Sequence, residues 1–188
     1  MLYTLNPTLA ENVSLRVLMI LGFAFLTGLG ANLSIPLHPV PITMQVLAVL
    51  LAGLLLGWRD GAASQFTYLG LIAVGLPLAA DGVGGLIAFQ RPSTGYLYAF
   101  PIAAALVGLL GSRQNALLRL LASSAGIAVI YLMGATYLKY NLDLSWNATW
   151  TAGVAPFLLV DAGKALLAAL GGEAARQWWW PGQLPPNR

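Results

Sequence analysis

The sequence predicts an all-α membrane protein of six transmembrane helices in one domain spanning residues 1–188, on three observations. Of 188 residues, 59% are hydrophobic and only 8% are charged. Soluble domains carry about 25% charged residues, and a body of this size could not cover itself in water with so few. The apolar residues are gathered into runs near the length that spans a bilayer, about 20 residues and as few as about 17. The runs are separated by proline, glycine or polar breaks.

The first run, 15–33, is longer than the apolar core of a cleaved leader, roughly 7–15 residues, and Pro36 and Pro39 follow it in place of a clean small-residue cleavage site. It therefore reads as a spanning helix. The break from Pro36 to Pro41 cannot continue a helix, because prolines lack the backbone donor. The second helix is placed at 42–56, beginning near Pro41, since proline suits a first helical turn. Trp58-Arg59-Asp60-Gly61 reads as a tight polar turn before the third helix, 61–78. A glycine-rich loop from Asp81 to Thr94 leads to the fourth helix, 95–110. Gly111 to Asn115 turns the chain into the fifth, 116–137. A polar connection from Lys139 to Asn147 precedes the sixth, 156–170, again opened by a proline. No internal repeat stands out, which disfavours an inverted-repeat carrier.

Basic residues accumulate on the cytoplasmic side of membrane proteins. With the N-terminus inside, the inner segments hold Arg16, Arg59, Arg113, Arg119, Arg176 and Arg188, and the outer loops hold Arg91 and Lys139. Both termini are therefore expected in the cytoplasm. Trp178-Trp179-Trp180 would then anchor the tail at the inner interface, where tryptophan concentrates.

The composition excludes several classes of function. A net charge of +3 is too small and dispersed for nucleic acid. With no cysteine and one histidine, His38, no thiolate or His-based metal site is expected. The chain lacks G-x-x-x-x-G-K-[ST] and H-E-x-x-H, and no serine has a plausible His/Asp partner system. Neither an ATPase nor a hydrolase is expected, and no cofactor.

Ionisable groups inside a bilayer are rare and mark function by default. Away from the helix ends there are two, Asp161 and Lys164. Their i,i+3 spacing puts them on one helix face, and Asp161 lies about 8 Å into the sixth helix. A self-neutralising pair is the bland alternative, but such pairs are often replaceable by apolar residues without loss of stability. A carboxylate beside an ammonium suits a small ligand bearing both donors and acceptors. Arg91, in Phe89-Gln90-Arg91-Pro92-Ser93-Thr94-Gly95-Tyr96, either clamps a ligand carboxylate through two parallel hydrogen bonds or faces lipid headgroups. Ser93 or Thr94 is expected to cap the fourth helix.

Thr43 and Gln45 enter the second helix as its only polar side chains, and Gln45 serves either a ligand or a neighbouring helix. Asn32 has the same two readings. Tyr96 and Tyr98 are stacking surfaces or interface anchors. Ala24 and Gly28, four apart on the first helix, make a smooth face that packs within this chain or against another membrane subunit.

Several stretches, taken in order, resemble the biotin-specific S component (BioY type) of energy-coupling factor (ECF) transporters. They are Pro39-Val40-Pro41-Ile42-Thr43-Met44-Gln45, Leu50 to Gly57, Tyr68-Leu69-Gly70 to Gly75-Leu76-Pro77, Gly84-Gly85, Pro92 to Leu97 with Phe100-Pro101, and Asp161-Ala162-Gly163-Lys164. The resemblance runs from the first helix to the sixth. It implies the six-helix S-component fold in a prokaryotic cell membrane, with one biotin near the outer face contacted by Asp161, Lys164 and Arg91. It further implies a transmembrane coupling (T) component and ABC-type ATPase subunits as partners, with Ala24 and Gly28 on the face that meets the coupling protein. Gln45, Thr43 and Tyr96 complete the expected biotin site. Which of Lys164 and Arg91 meets the biotin carboxylate stays open. So do two related readings: a solitary biotin carrier without ATPase partners, and an S component for another vitamin.

Overall fold

The computed structural model of the chain describes residues 12–111 and 115–179. These form α1 (Val13–Asn32), two short strands β1 (Ser34–Ile35) and β2 (Ile42–Thr43), α2 (Gln45–Ala73), α3 (Thr94–Leu110), α4 (Ala116–Asn141), α5 (Trp146–Gly153) and α6 (Leu158–Trp179), with single 3-10 turns at Ala80–Gly82, Leu86–Gln90 and Ala155–Phe157.

α1 starts where Asn12 accepts a hydrogen bond from the Leu15 N–H, the usual N-cap arrangement. The prolines after it forbid helix, and the chain takes the extended alternative. β1 and β2 pair antiparallel with Ser34 opposite Thr43, so the second helix begins at Gln45 and not at position 42.

α2 is two antiparallel arms. Gly57 takes φ 82° and ψ 179° inside it, a backbone conformation open to glycine and strained for other residues. Gln45 and Tyr68 lie 23 positions apart yet share a hydrogen bond; a straight helix would hold them about 34 Å apart. The expected turn is therefore displaced. The chain reverses at Gly57, and Trp58 to Gly61 already belong to the second arm, which ends at Ala73 and not at 78.

The second arm and α3 meet closely: a Cβ on Gly108 would lie 2.4 Å from the Trp58 nitrogen. α2 packs against both α1 and α3, α3 against α4, and α6 against α4 and α2. Four helical stretches, Val13–Asn32, Gln45–Ala73, Ala116–Asn141 and Trp146–Gly172, are long and apolar enough to cross a membrane by length and composition, and Thr94–Leu110 is a shorter apolar helix. Leucines at 18, 29, 132, 159 and 167 are exposed on the outer faces, the surface lipid would cover.

Three further expectations are revised. α4 continues to Asn141, so Lys139 sits in its last turn and not in a loop. α5 was not anticipated; Ser145 caps it by accepting from the Ala148 N–H. α6 reaches Trp179, beyond the expected 170; Gly171 and Gly172 disfavour helix, but the strong helix formers from Glu173 to Gln177 follow them. Trp180, Arg113 and Arg188 lie outside the described residues, as do the side chains of Arg176, Trp178 and Trp179.

Arg16 and Arg59 lie at one end of the bundle, where Arg16 bonds both carboxylate oxygens of Asp60. Arg119, counted above among the inner segments, is fully buried near the Gly172 end of α6. Arg91 and Lys139 lie at the opposite end.

Candidate functional site

The cavity at that opposite end is built from β2, both ends of the loop between α2 and α3, and the facing sides of α3, α4 and α6. The space between its lining atoms is about 630 Å³, counting the open mouth. Thr43, Gln45, Arg91, Tyr96, Asp161 and Lys164 all line it. These are the six residues named above for the ligand, drawn from three separate stretches of sequence.

Asp161 stands in the first turn of α6, where the helix dipole favours a negative charge. Its side chain and that of Lys164 are both 3% exposed, and Lys164 Nζ donates to Asp161 Oδ1 at 2.6 Å. Lys164 Nζ also donates to the Thr43 carbonyl at 2.7 Å. The Tyr131 hydroxyl donates to Asp161 Oδ2 at 2.8 Å. An ammonium has three donors and a carboxylate about four acceptor positions. One donor on Lys164 and lone pairs on both Asp161 oxygens therefore remain for a ligand.

A second set of polar contacts runs from this pair to the cavity roof. Thr43 Oγ1 donates to Gln45 Oε1 at 3.0 Å, Gln45 Nε2 donates to the Tyr68 hydroxyl, and that hydroxyl donates to the Leu78 carbonyl at 3.1 Å. Gln45 keeps one amide hydrogen unassigned by these bonds.

The roof is the turn around Ala79 and Ala80, both lining the cavity. Arg91 fastens it by donating from one terminal nitrogen to the Ala80 carbonyl at 2.8 Å and from the other to the Asp81 carboxylate. Arg91 is thus a mouth residue, 31% exposed against 3% for Lys164. The walls are apolar: Val40, Val46, Leu97, Phe100, Ile130 and Phe157. Tyr96 lines one wall and anchors it, donating to the Gly153 carbonyl at 2.7 Å. α5 thereby takes part in shaping the cavity.

Other expectations resolve differently. Ala24 is fully buried, and a Cβ on Gly28 would meet Leu78. At these two positions α1 packs within this chain, the first of the two readings given for them. Neither Ser93 nor Thr94 caps α3 in the expected way. Ser93 makes no capping bond, and Thr94 donates back to the Ala88 carbonyl. Asn32 bonds the Gly28 carbonyl of its own helix. Tyr98 stacks on Phe89 at the surface.

Sequence reading missed Tyr131, Tyr68 and Asp81. Tyr68 lay within a family-like stretch, but neither it nor Tyr131 carried a sign of direction along an apolar helix. Among the described residues, no group of three or more His, Cys, Asp or Glu could hold a metal ion.

Comparison with known proteins bears on what such a cavity takes. A family model described as "BioY family" matches residues 6–179. A probable biotin transporter of Lysinibacillus sphaericus is 35% identical, covering 86% of this chain and 87% of that one. A probable biotin transporter of Pyrococcus horikoshii is 39% identical, covering 86% and 93%. The biotin transporter of Thermotoga maritima is 38% identical, covering 79% and 88%. Among solved structures, the S-component for biotin from an ECF-type ABC transporter superposes with a TM-score of 0.81 at 25% identity, covering 92% of this chain and 94% of that one.

Proposed function

The chain belongs to the BioY family, and from that premise we propose that it is a membrane protein that captures biotin for uptake, as the substrate-binding S component of an ECF-type ABC transporter. The observation that carries this reading is the cavity itself: a buried Asp161–Lys164 pair at its base, apolar walls, and Arg91 at its mouth.

Biotin carries a ureido ring with two N–H donors and a carbonyl, an apolar body and a terminal carboxylate. The ureido ring belongs at the base, where Asp161 accepts an N–H and the free donor of Lys164 meets the ureido oxygen. The carboxylate belongs at the mouth. Brought to the base, it would lie against Asp161, and like charges in a dry site repel strongly. At the mouth it meets Arg91, whose fork suits a carboxylate. Thr43 and Gln45 hold the base, and Tyr96 and the apolar walls take the ring and chain.

The arms of α2 count as separate spans, giving six, with both termini cytoplasmic and the cavity opening outward in a prokaryotic cell membrane. The larger number of arginines at the far end supports that orientation. Binding energy here serves capture. The drive for uptake comes from a transmembrane coupling component and ABC-type ATPase subunits.

The test is mass analysis of the purified protein for co-purifying biotin, followed by titration after its removal. Tight, saturable, one-to-one binding is the expected result. A folded preparation that binds no biotin overturns the proposal.

A further inference from the structure

Arg91 is already occupied. One terminal nitrogen bonds the Ala80 carbonyl, and the other bonds the carboxylate of Asp81. The first contact is to backbone and holds the guanidinium against the roof. The second is to a side chain 48% exposed, which can swing into water at little cost. Asp81 is delivered to this position by its own backbone: φ is 63°, a left-handed conformation that aspartate and asparagine adopt more readily than most residues.

A ligand carboxylate arriving at Arg91 would therefore meet a carboxylate already there. Two such groups on one edge of a guanidinium repel, so one must leave.

We propose that Asp81 is a specificity-determining residue: its carboxylate occupies the Arg91 edge that the ligand's carboxylate takes, and the ligand must displace it. This rests on the reading that Arg91 receives the biotin carboxylate. A neutral ligand makes no such exchange and leaves the Asp81–Arg91 pair in place. Asp81 thus lowers affinity for carboxylated ligands alone, and narrows the gap between acid and ester.

The experiment compares wild type with Asp81→Asn and Asp81→Gly, each purified in detergent and freed of ligand, titrated with biotin and with biotin methyl ester. Both variants tolerate the positive φ, asparagine by preference and glycine freely. An exposed ion pair is worth at most about 1 kcal/mol, so biotin is expected to bind about two- to fivefold more tightly to both variants, with the ester unchanged. Weaker binding of both ligands would make Asp81 a support for the roof, and equal change or no change in the two would make it a bystander; either overturns the inference while leaving biotin capture standing. Failure of folded wild type to bind biotin overturns both.

Discussion

Lys164 Nζ donates to the Thr43 carbonyl at 2.7 Å, across 121 positions of sequence. The bond fastens α6 to the strand before α2 and sets the ammonium at the base of the cavity. Lys164 so placed neutralises Asp161, closes a backbone acceptor, and still has a hydrogen to give.

Removing either member of the pair leaves the other charge buried without its partner. Such truncations at a charged contact typically cost about 2–5 kcal/mol. Asp161→Asn and Lys164→Ala are each expected to lose roughly 30-fold or more in biotin affinity by titration calorimetry. Biotin affinity equal to wild type in both would take the pair out of the site.

Replacing both residues at once separates binding from stability. An apolar pair in place of a buried ion pair is often neutral or stabilising, although here the Tyr131 hydroxyl and the Thr43 carbonyl would each lose a partner. The double variant Asp161→Leu with Lys164→Met is expected to unfold at a higher temperature than either single truncation and to bind no biotin. If it were less stable than both singles, the pair would be held for structure and not for the ligand.

Tyr68 does not line the cavity, yet its hydroxyl joins Gln45 to the Leu78 carbonyl beside the roof. Tyr68→Phe keeps the ring and deletes both bonds. Leaving buried polar groups unsatisfied costs about 1–3 kcal/mol, so its thermal midpoint should fall. Biotin should also leave faster, with little change in its rate of arrival, since contact changes act mainly on dissociation. A stopped-flow dissociation rate equal to wild type would remove Tyr68 from the support of the site.

The base of the cavity was legible in the sequence because a bilayer makes charges conspicuous. Asp161 and Lys164 stood out against an apolar run, and their spacing gave their shared face. Direction was not legible. Tyr131 and Tyr68 are aromatic residues in apolar helices, and only the packing shows that their hydroxyls point inward. Ala24 and Gly28 announced a close approach but could not say to what; Gly28 meets Leu78 of the same chain, and Ala24 is buried. The reversal was expected at Trp58 to Gly61 because polar residues mark breaks in apolar runs. Gly57 supplies it instead, since a positive φ was needed, and Asp60 turns inward to meet Arg16. α5 escaped notice because Trp146-Asn147-Ala148-Thr149-Trp150 has no apolar run, only an N-cap serine before it.

The position of that reversal yields the sharpest test of the fold. A Cβ on Gly108 would lie 2.4 Å from the Trp58 nitrogen and 2.7 Å from its Cα. These are backbone atoms held by the Gly57 bend, and no rotamer change relieves the clash. Gly22, also in a helix, has nothing within 4 Å of the same added atom. Gly108→Ala must therefore push α3 off the second arm of α2, a strain of about 1–3 kcal/mol or more. Gly22→Ala gains helix propensity, about 0.5–1 kcal/mol, without a clash. Thermal unfolding of the two variants in the same detergent should move in opposite directions. If Gly108→Ala matched Gly22→Ala, α3 could not approach the bend this closely, and the two-armed arrangement of α2 that positions Gln45 and Tyr68 would fail with it.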